Sequence, residues 1–202
     1  MSDRLDAARA ALRARQGQGA RYDAASAPAR HLAWARLGAA YFARQLNDIP
    51  DAALWTAADR PGWTRRRVIA ACALEARALA QAIQLATGGP TDEFADTDAA
   101  ALDLAETLPA HALRHLVAHA EIHLNVVWRD LTDAQWDSRL AGLAVASPRD
   151  TALLRARTLW RSAIDLGTGG RWRDAPADAR AALAPQPARN VEEPCLIKAT
   201  LS

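Results

Sequence analysis

Apolar residues recur along this 202-residue chain at the spacing of helices rather than strands. Leu32, Ala35, Ala39, Phe42 and Leu46 form one stripe between Pro28 and Asn47, with Pro28 suited to a first turn and Ile49-Pro50-Asp51 as the stop. Val68, Cys72, Leu79 and Ile83 form a second stripe. Thr64, after Pro61-Gly62-Trp63, can cap its start, and Gly88-Gly89-Pro90 ends it. The acidic stretch from Thr91 to Glu106 reads as a connection. A third helix is predicted over 109–131 and a fourth over 150–166, closed by Gly167. Only Leu140 to Ala146 alternates enough to predict one short strand.

Four long helices with long connections predict an all-α bundle over residues 26–168. Residues 1–25 carry Leu5, Ala8 and Leu12 at helical spacing and then Gln16-Gly17-Gln18-Gly19, a lead-in helix and a linker. From 169 to 202 glycine, proline and charge dominate, with a brief helical pattern at 176–184, so a partly irregular tail is expected. Hydrophobic residues make up 50% of the chain and charged residues 24%, the balance of a globular protein.

The formal charge of +2 argues against a nucleic-acid partner and leaves at most a local basic patch near the start of the chain. Lys198 is the only lysine. This preference for arginine, with abundant alanine, matches GC-rich bacterial coding and is given no functional weight. Cys72 and Cys195 do not form a disulfide framework, and the first residues lack an apolar signal region, so the cytoplasm is the expected address. Charges interrupt every helical segment before the roughly 18 apolar residues of a membrane span, and no membrane partner is expected.

Several blocks carry a resemblance. Tyr41-Phe42-Ala43-Arg44-Gln45-Leu46-Asn47, Pro61-Gly62-Trp63-Thr64-Arg65-Arg66, His123-Leu124-Asn125-Val126 and Trp128-Arg129-Asp130-Leu131-Thr132-Asp133, then Trp160 with Ile164-Asp165-Leu166-Gly167, resemble in order and spacing the mycothiol-dependent maleylpyruvate isomerase family. The resemblance covers roughly residues 30–170 and implies a DinB-like four-helix bundle that opens at one end onto a divalent metal, commonly zinc. In that family a histidine of the second helix, and a glutamate and a histidine one turn apart on the fourth, hold the ion. A low-molecular-weight thiol then adds to a cis enone acid, the carbon–carbon bond rotates, and the thiol leaves.

Here the pattern departs at each implied ligand: the positions fall at Ala71, Thr158 and Ser162. Alanine has no donor atom, and neutral hydroxyls are poor zinc ligands beside imidazole, thiolate or carboxylate. No metal and no cofactor are therefore expected. Metal-containing members also carry a second, C-terminal domain, for which the stretch after Gly167 is too short; the tail is expected to fold over the mouth of the bundle or to reach a partner subunit.

Candidate chemistry remains at Glu75, four residues beyond Ala71 and so on the same helix face, as general base or acid. Its plainer role is an ion pair with Arg77, Arg155 or Arg157. His123, in a family-like block, is the second catalytic candidate. It closes a ladder of His111, His115, His119 and His123, in which neighbours share a face while the ends diverge by roughly 120°. Trp63, Arg66, Ala71, His119, Thr158 and Ser162 are candidate substrate-binding positions: an aromatic wall, a carboxylate-recognising arginine, and hydroxyls in place of the metal ligands. Cys72 reads as a small core residue rather than a nucleophile. The other tryptophans read mainly as core.

The leading expectation is a metal-independent enzyme, a monomer or homodimer, that isomerises or rearranges a small carboxylated or conjugated molecule. Against it stand a non-catalytic ligand-binding or regulatory paralogue and a metal- and thiol-dependent isomerase with ligands relocated to Glu75, His119 and His123.

Overall fold

In the computed structural model, residues 24–90 and 96–184 are described. The lead-in helix expected at the start, most of the linker, and the end of the tail, Cys195 and Lys198 included, lie outside them. The chain forms α1 (Ala29–Asn47), a 3-10 turn (Asp51–Trp55), α2 (Arg65–Thr87), α3 (Ala99–Glu106), α4 (Ala110–Asp130), a second 3-10 turn (Gln135–Asp137), α5 (Pro148–Asp165), a third (Trp172–Asp174) and α6 (Arg180–Leu183). The architecture is the all-α bundle expected: α1 lies along α5, and α2 lies against α3, α4 and α5.

The helix ends follow local chemistry. Thr64 accepts the Arg67 N–H at 3.0 Å to cap α2, and Gly88 ends it in the left-handed region at φ 71°. Asp150 accepts from the Ser147 N–H and hydroxyl at 3.2 and 2.8 Å, and Pro148 opens α5. Between these ends α2 is the central helix. It is long and apolar enough to cross a membrane by length and composition, contrary to the expectation from charge spacing, but 67% of that apolar window is buried inside the bundle. Its apolar surface is covered by α3, α4 and α5.

Two expectations need correction. The acidic stretch contains a helix, α3: Asp98 accepts the Ala101 N–H at 2.8 Å, and Leu102 and Ala105 are buried behind that cap. The net acidity of the stretch masked an ordinary Asp cap with an apolar stripe behind it. Leu140 to Ala146 is no strand; it closes on itself through one bond from the Leu140 N–H to the Ala146 carbonyl at 2.9 Å, with Gly142 at φ 74°. Among the described residues no strand lies beside it, so alternation alone had nothing to pair with.

The described tail joins the core. Ala175, Ala179 and Leu183 are buried with the bundle residues. Tyr41 donates its hydroxyl proton to Asp174 at 2.7 Å, Trp34 donates to Asp178 at 3.3 Å, and Arg157 donates to the Ala182 carbonyl at 2.7 Å. The tail thus crosses the seam between α1 and α5. Under it Tyr41 stacks on Trp160 with centroids 4.6 Å apart. Trp34, Trp128, Trp136 and Trp160 are buried, as the core reading of the tryptophans requires.

Close approach of α1 to α5 depends on Gly38, where an added Cβ would stand 3.0 Å from the Trp160 ring and 3.1 Å from the Leu159 Cβ. Gly38→Leu is expected to destabilise the fold by about 1–3 kcal/mol through overpacking. Denaturant unfolding measures it, and a variant as stable as the parent would show that the α1–α5 spacing is not fixed at this point.

Candidate functional site

The face of α2 that carries Ala71, Cys72 and Glu75 looks across the core at Arg155, Thr158 and Ser162 of α5. The two helices run in opposite senses here: Thr158 meets Glu75, and one turn further along α5 the Ser162 hydroxyl lies against the Cys72 thiol. Ala71 and Thr158 are half-buried, while Cys72, Glu75, Arg155 and Ser162 are buried. The three positions that the resemblance assigns to metal ligands therefore come from the same level of the bundle.

At that level lies a network of charges. Thr158 donates its hydroxyl proton to Glu75 Oε1 at 2.6 Å, and Arg155 Nη1 donates to Glu75 Oε2 at 2.8 Å and to the Cys72 carbonyl at 2.7 Å. Arg155 Nε donates to Glu121 Oε1 at 2.7 Å, and its Nη2 donates to the same oxygen. The Arg155 side chain is 0% exposed and that of Glu75 4%, against 14% for Glu121. One guanidinium thus ties together α2, α4 and α5.

Electrostatics follow from burial. Desolvation pushes the Glu75 carboxyl above its ordinary value, with Arg155 and Thr158 opposing. Desolvation also works against the Arg155 charge, but the carboxylates of Glu121 and Glu75 outweigh it and hold the guanidinium protonated. The Cys72 thiol is pushed up to about 11 by burial, which keeps it out of its nucleophilic form at neutral pH. One guanidinium between two carboxylates leaves a surplus negative charge at this level, with Glu75 the more buried of the two carboxyls.

The donor set does not fit a divalent ion. Ala71 offers no atom, the Thr158 hydroxyl is engaged by Glu75, and Ser162 lies against a protonated thiol. Among the described residues, no three His, Cys, Asp or Glu side chains converge to hold an ion. The relocated set is not assembled either: Glu75 is bound to Arg155, while His119 is exposed on α4.

The remaining candidates sit elsewhere. His123 is half-buried, two residues beyond Glu121 and so roughly 200° around α4 from the flank that reaches Arg155. No contact brings it to Glu75. Trp63 is covered by Arg60, 3.6 Å from its ring centroid, with Arg67 at 5.3 Å. Arg66 is buried and donates to the carbonyls of Glu106, at 2.6 Å, and Leu108. It lies nine residues before Glu75, roughly 13 Å along the helix axis. Its neighbours work alike: Arg65 donates to the carbonyls of Leu166 at 2.7 Å and Gly167 at 3.2 Å, and Arg67 pairs with Asp103 at 2.7 Å and Glu106 at 2.9 Å. The arginine triplet binds the start of α2 to the ends of α5 and α3. Glu121 is the site residue the sequence reading missed; its one signal is an acid set beside the apolar face of Leu113, Val117, Ala120 and Leu124.

The sequence profile of the mycothiol maleylpyruvate isomerase N-terminal domain matches residues 35–167. No protein of curated function matches the chain. Among solved structures, the crystal structure of the mycothiol-dependent maleylpyruvate isomerase superposes with a TM-score of 0.67 at 28% identity, covering 77% of this chain and 65% of that one. A variant of that isomerase with one histidine replaced by alanine gives 0.65 at 29% identity, with the same coverage. The matched profile runs from within α1 to just past the end of α5 and takes in Glu75, Glu121, Arg155 and Thr158, so the chain belongs to the mycothiol maleylpyruvate isomerase N-terminal domain family.

Proposed function

We propose that the chain is a metal-independent isomerase that acts on a small carboxylated or conjugated molecule through the Glu75 carboxyl, in the cytoplasm. One observation carries this reading: a buried carboxyl, held between a threonine hydroxyl and a guanidinium, stands at the level where the family's metal ligands would lie. A carboxyl whose neutral form is favoured by burial can give a proton to the carbonyl oxygen of a conjugated acid. The added proton lowers the order of the neighbouring carbon–carbon double bond, the bond rotates, and the proton returns to Glu75. Arg155 stabilises the transient carboxylate, and Thr158, half-buried, is the partner that exchanges for substrate. Ala71 and Ser162 flank the same place.

A second reading is supported by the same contacts. Both Glu75 oxygens already accept hydrogen bonds, as they would in a non-catalytic paralogue that binds its ligand unchanged.

Glu75→Gln separates the two. With maleylpyruvate, the compound named for the relatives, and other cis-configured conjugated acids, the parent chain is expected to turn over at a rate indifferent to chelator. The variant is expected to lose about 100-fold or more of that rate. Equal rates in parent and variant would remove Glu75 from the chemistry, and saturable binding without turnover would establish the binding paralogue.

The pH dependence of stability has a definite sign. A carboxyl with a raised folded-state pKa binds more protons folded than unfolded, so its contribution to stability is complete in acid, below the ordinary glutamate range, and is lost as pH rises through the folded value. The stability of the parent relative to Glu75→Gln is expected to be greatest in acid and to fall toward neutral pH. Arg155→Met, which strands two carboxylates, is expected to cost about 3–5 kcal/mol at neutral pH and less in acid, read by denaturant unfolding across pH. A flat profile in both variants would deny that these groups share one buried network.

The register with the family is testable through metal. Ala71→His combined with Thr158→Glu and Ser162→His is expected to add one zinc equivalent to whatever the parent chain binds, measured by isothermal titration. No gain in zinc binding would place the family's ligand positions elsewhere in this chain.

A further inference from the structure

The outer face of α4 takes no part in the network around Arg155. His111, His115 and His119 are exposed, and among the described residues no hydrogen bond or ion pair engages their imidazoles. Ile122, 65% exposed, continues the same face. Each step of four residues turns about 40° on a helix of 3.6 residues per turn. His111 and His115 are therefore surface neighbours, as are His115 and His119, with Cβ atoms roughly 5–6 Å apart. His111 and His119 stand two turns apart, roughly 12 Å along the axis. His123, one further step of four along, is half-buried, so the exposed row ends at His119. The row thus contains two overlapping pairs that share His115.

Two free imidazoles one turn apart are a chelate for borderline metals such as zinc, nickel or copper, and imidazole without carboxylate disfavours magnesium and calcium. The helix backbone fixes the spacing in advance, so binding orders only two exposed side chains. Three ligands do not converge on one point, and a bound ion keeps open positions for water or for a small anionic or thiol ligand. We infer that the outer face of α4 is a divalent transition-metal site in which His115 chelates one ion with either His111 or His119. The site is separate from the bundle interior and does not rest on the chemistry proposed for Glu75.

The test is isothermal titration of nickel chloride into the untagged full chain at neutral pH. The parent is expected to bind one ion per chain, since both pairs need His115. His111→Ala and His119→Ala each leave one pair and are expected to retain saturable binding; His115→Ala, and the double variant His111→Ala with His119→Ala, are expected to lose it. All are exposed positions at which alanine favours the helix, so the folds are kept. A parent without saturable binding, or His115→Ala binding as the parent does, would overturn the site.

Discussion

Arg155 is the constraint around which the bundle is organised. Its guanidinium is removed from water and given three acceptor groups in exchange: Glu75 and the Cys72 carbonyl on α2, and Glu121 on α4. A buried cation with unmatched donors would cost several kcal/mol, so the three helices are held in the one register that satisfies it. The alternatives are not graded. A shift of α5 by one residue would turn Arg155 about 100° off this face and leave two carboxylates unpaired. Hydrophobic contact among the alanines and leucines of the same helices tolerates such sliding far better, because it is not directional.

The same network explains what the site lacks. The level of Ala71, Thr158 and Ser162 offers no set of strong ligands, yet it is not filled with apolar side chains. It keeps a carboxyl, two hydroxyls and a thiol; burial raises the carboxyl above its ordinary value and pushes the thiol up to about 11. Acid–base chemistry at the carboxyl is what the proposed function draws from this set.

Much of the fold was legible because its signals are local. Thr64, Gly88 and Pro148 set helix ends through contacts within a turn or two, and the apolar stripes of α1, α2, α4 and α5 read directly as buried faces. Helix α3 escaped because net acidity hid the cap at Asp98. The site was legible only in part. Glu75 and Thr158 could be placed on facing helices by their spacing, whereas Glu121 joins them through an arginine on a third element, a relation with no sequence period. At Arg66 and Trp63 residue type suggested recognition of a ligand, and the sequence could not show the contacts they make within the fold: the Glu106 carbonyl for Arg66 and the guanidinium of Arg60 over Trp63.

Arginine, at first sight a mark of coding bias, has a structural use throughout. Arg114 donates to the carbonyls of Leu46 and Ile49, both at 2.6 Å, where α1 ends; Arg65 does so at the end of α5, Arg66 at the end of α3, and Arg157 and Arg180 in the tail. Helix ends leave carbonyls without partners, and a short bundle has many such ends for its size. A lysine ammonium is a point donor that is strongly hydrated, whereas the planar guanidinium can serve two or three acceptors at once with less loss of hydration. Joining helix ends by guanidinium fixes the connections without lengthening the core. Among the described residues that leaves the interior level around Glu75 as the one place where a buried arginine meets acid side chains rather than backbone alone, and it is there that the proposed chemistry and the structural use of charge coincide.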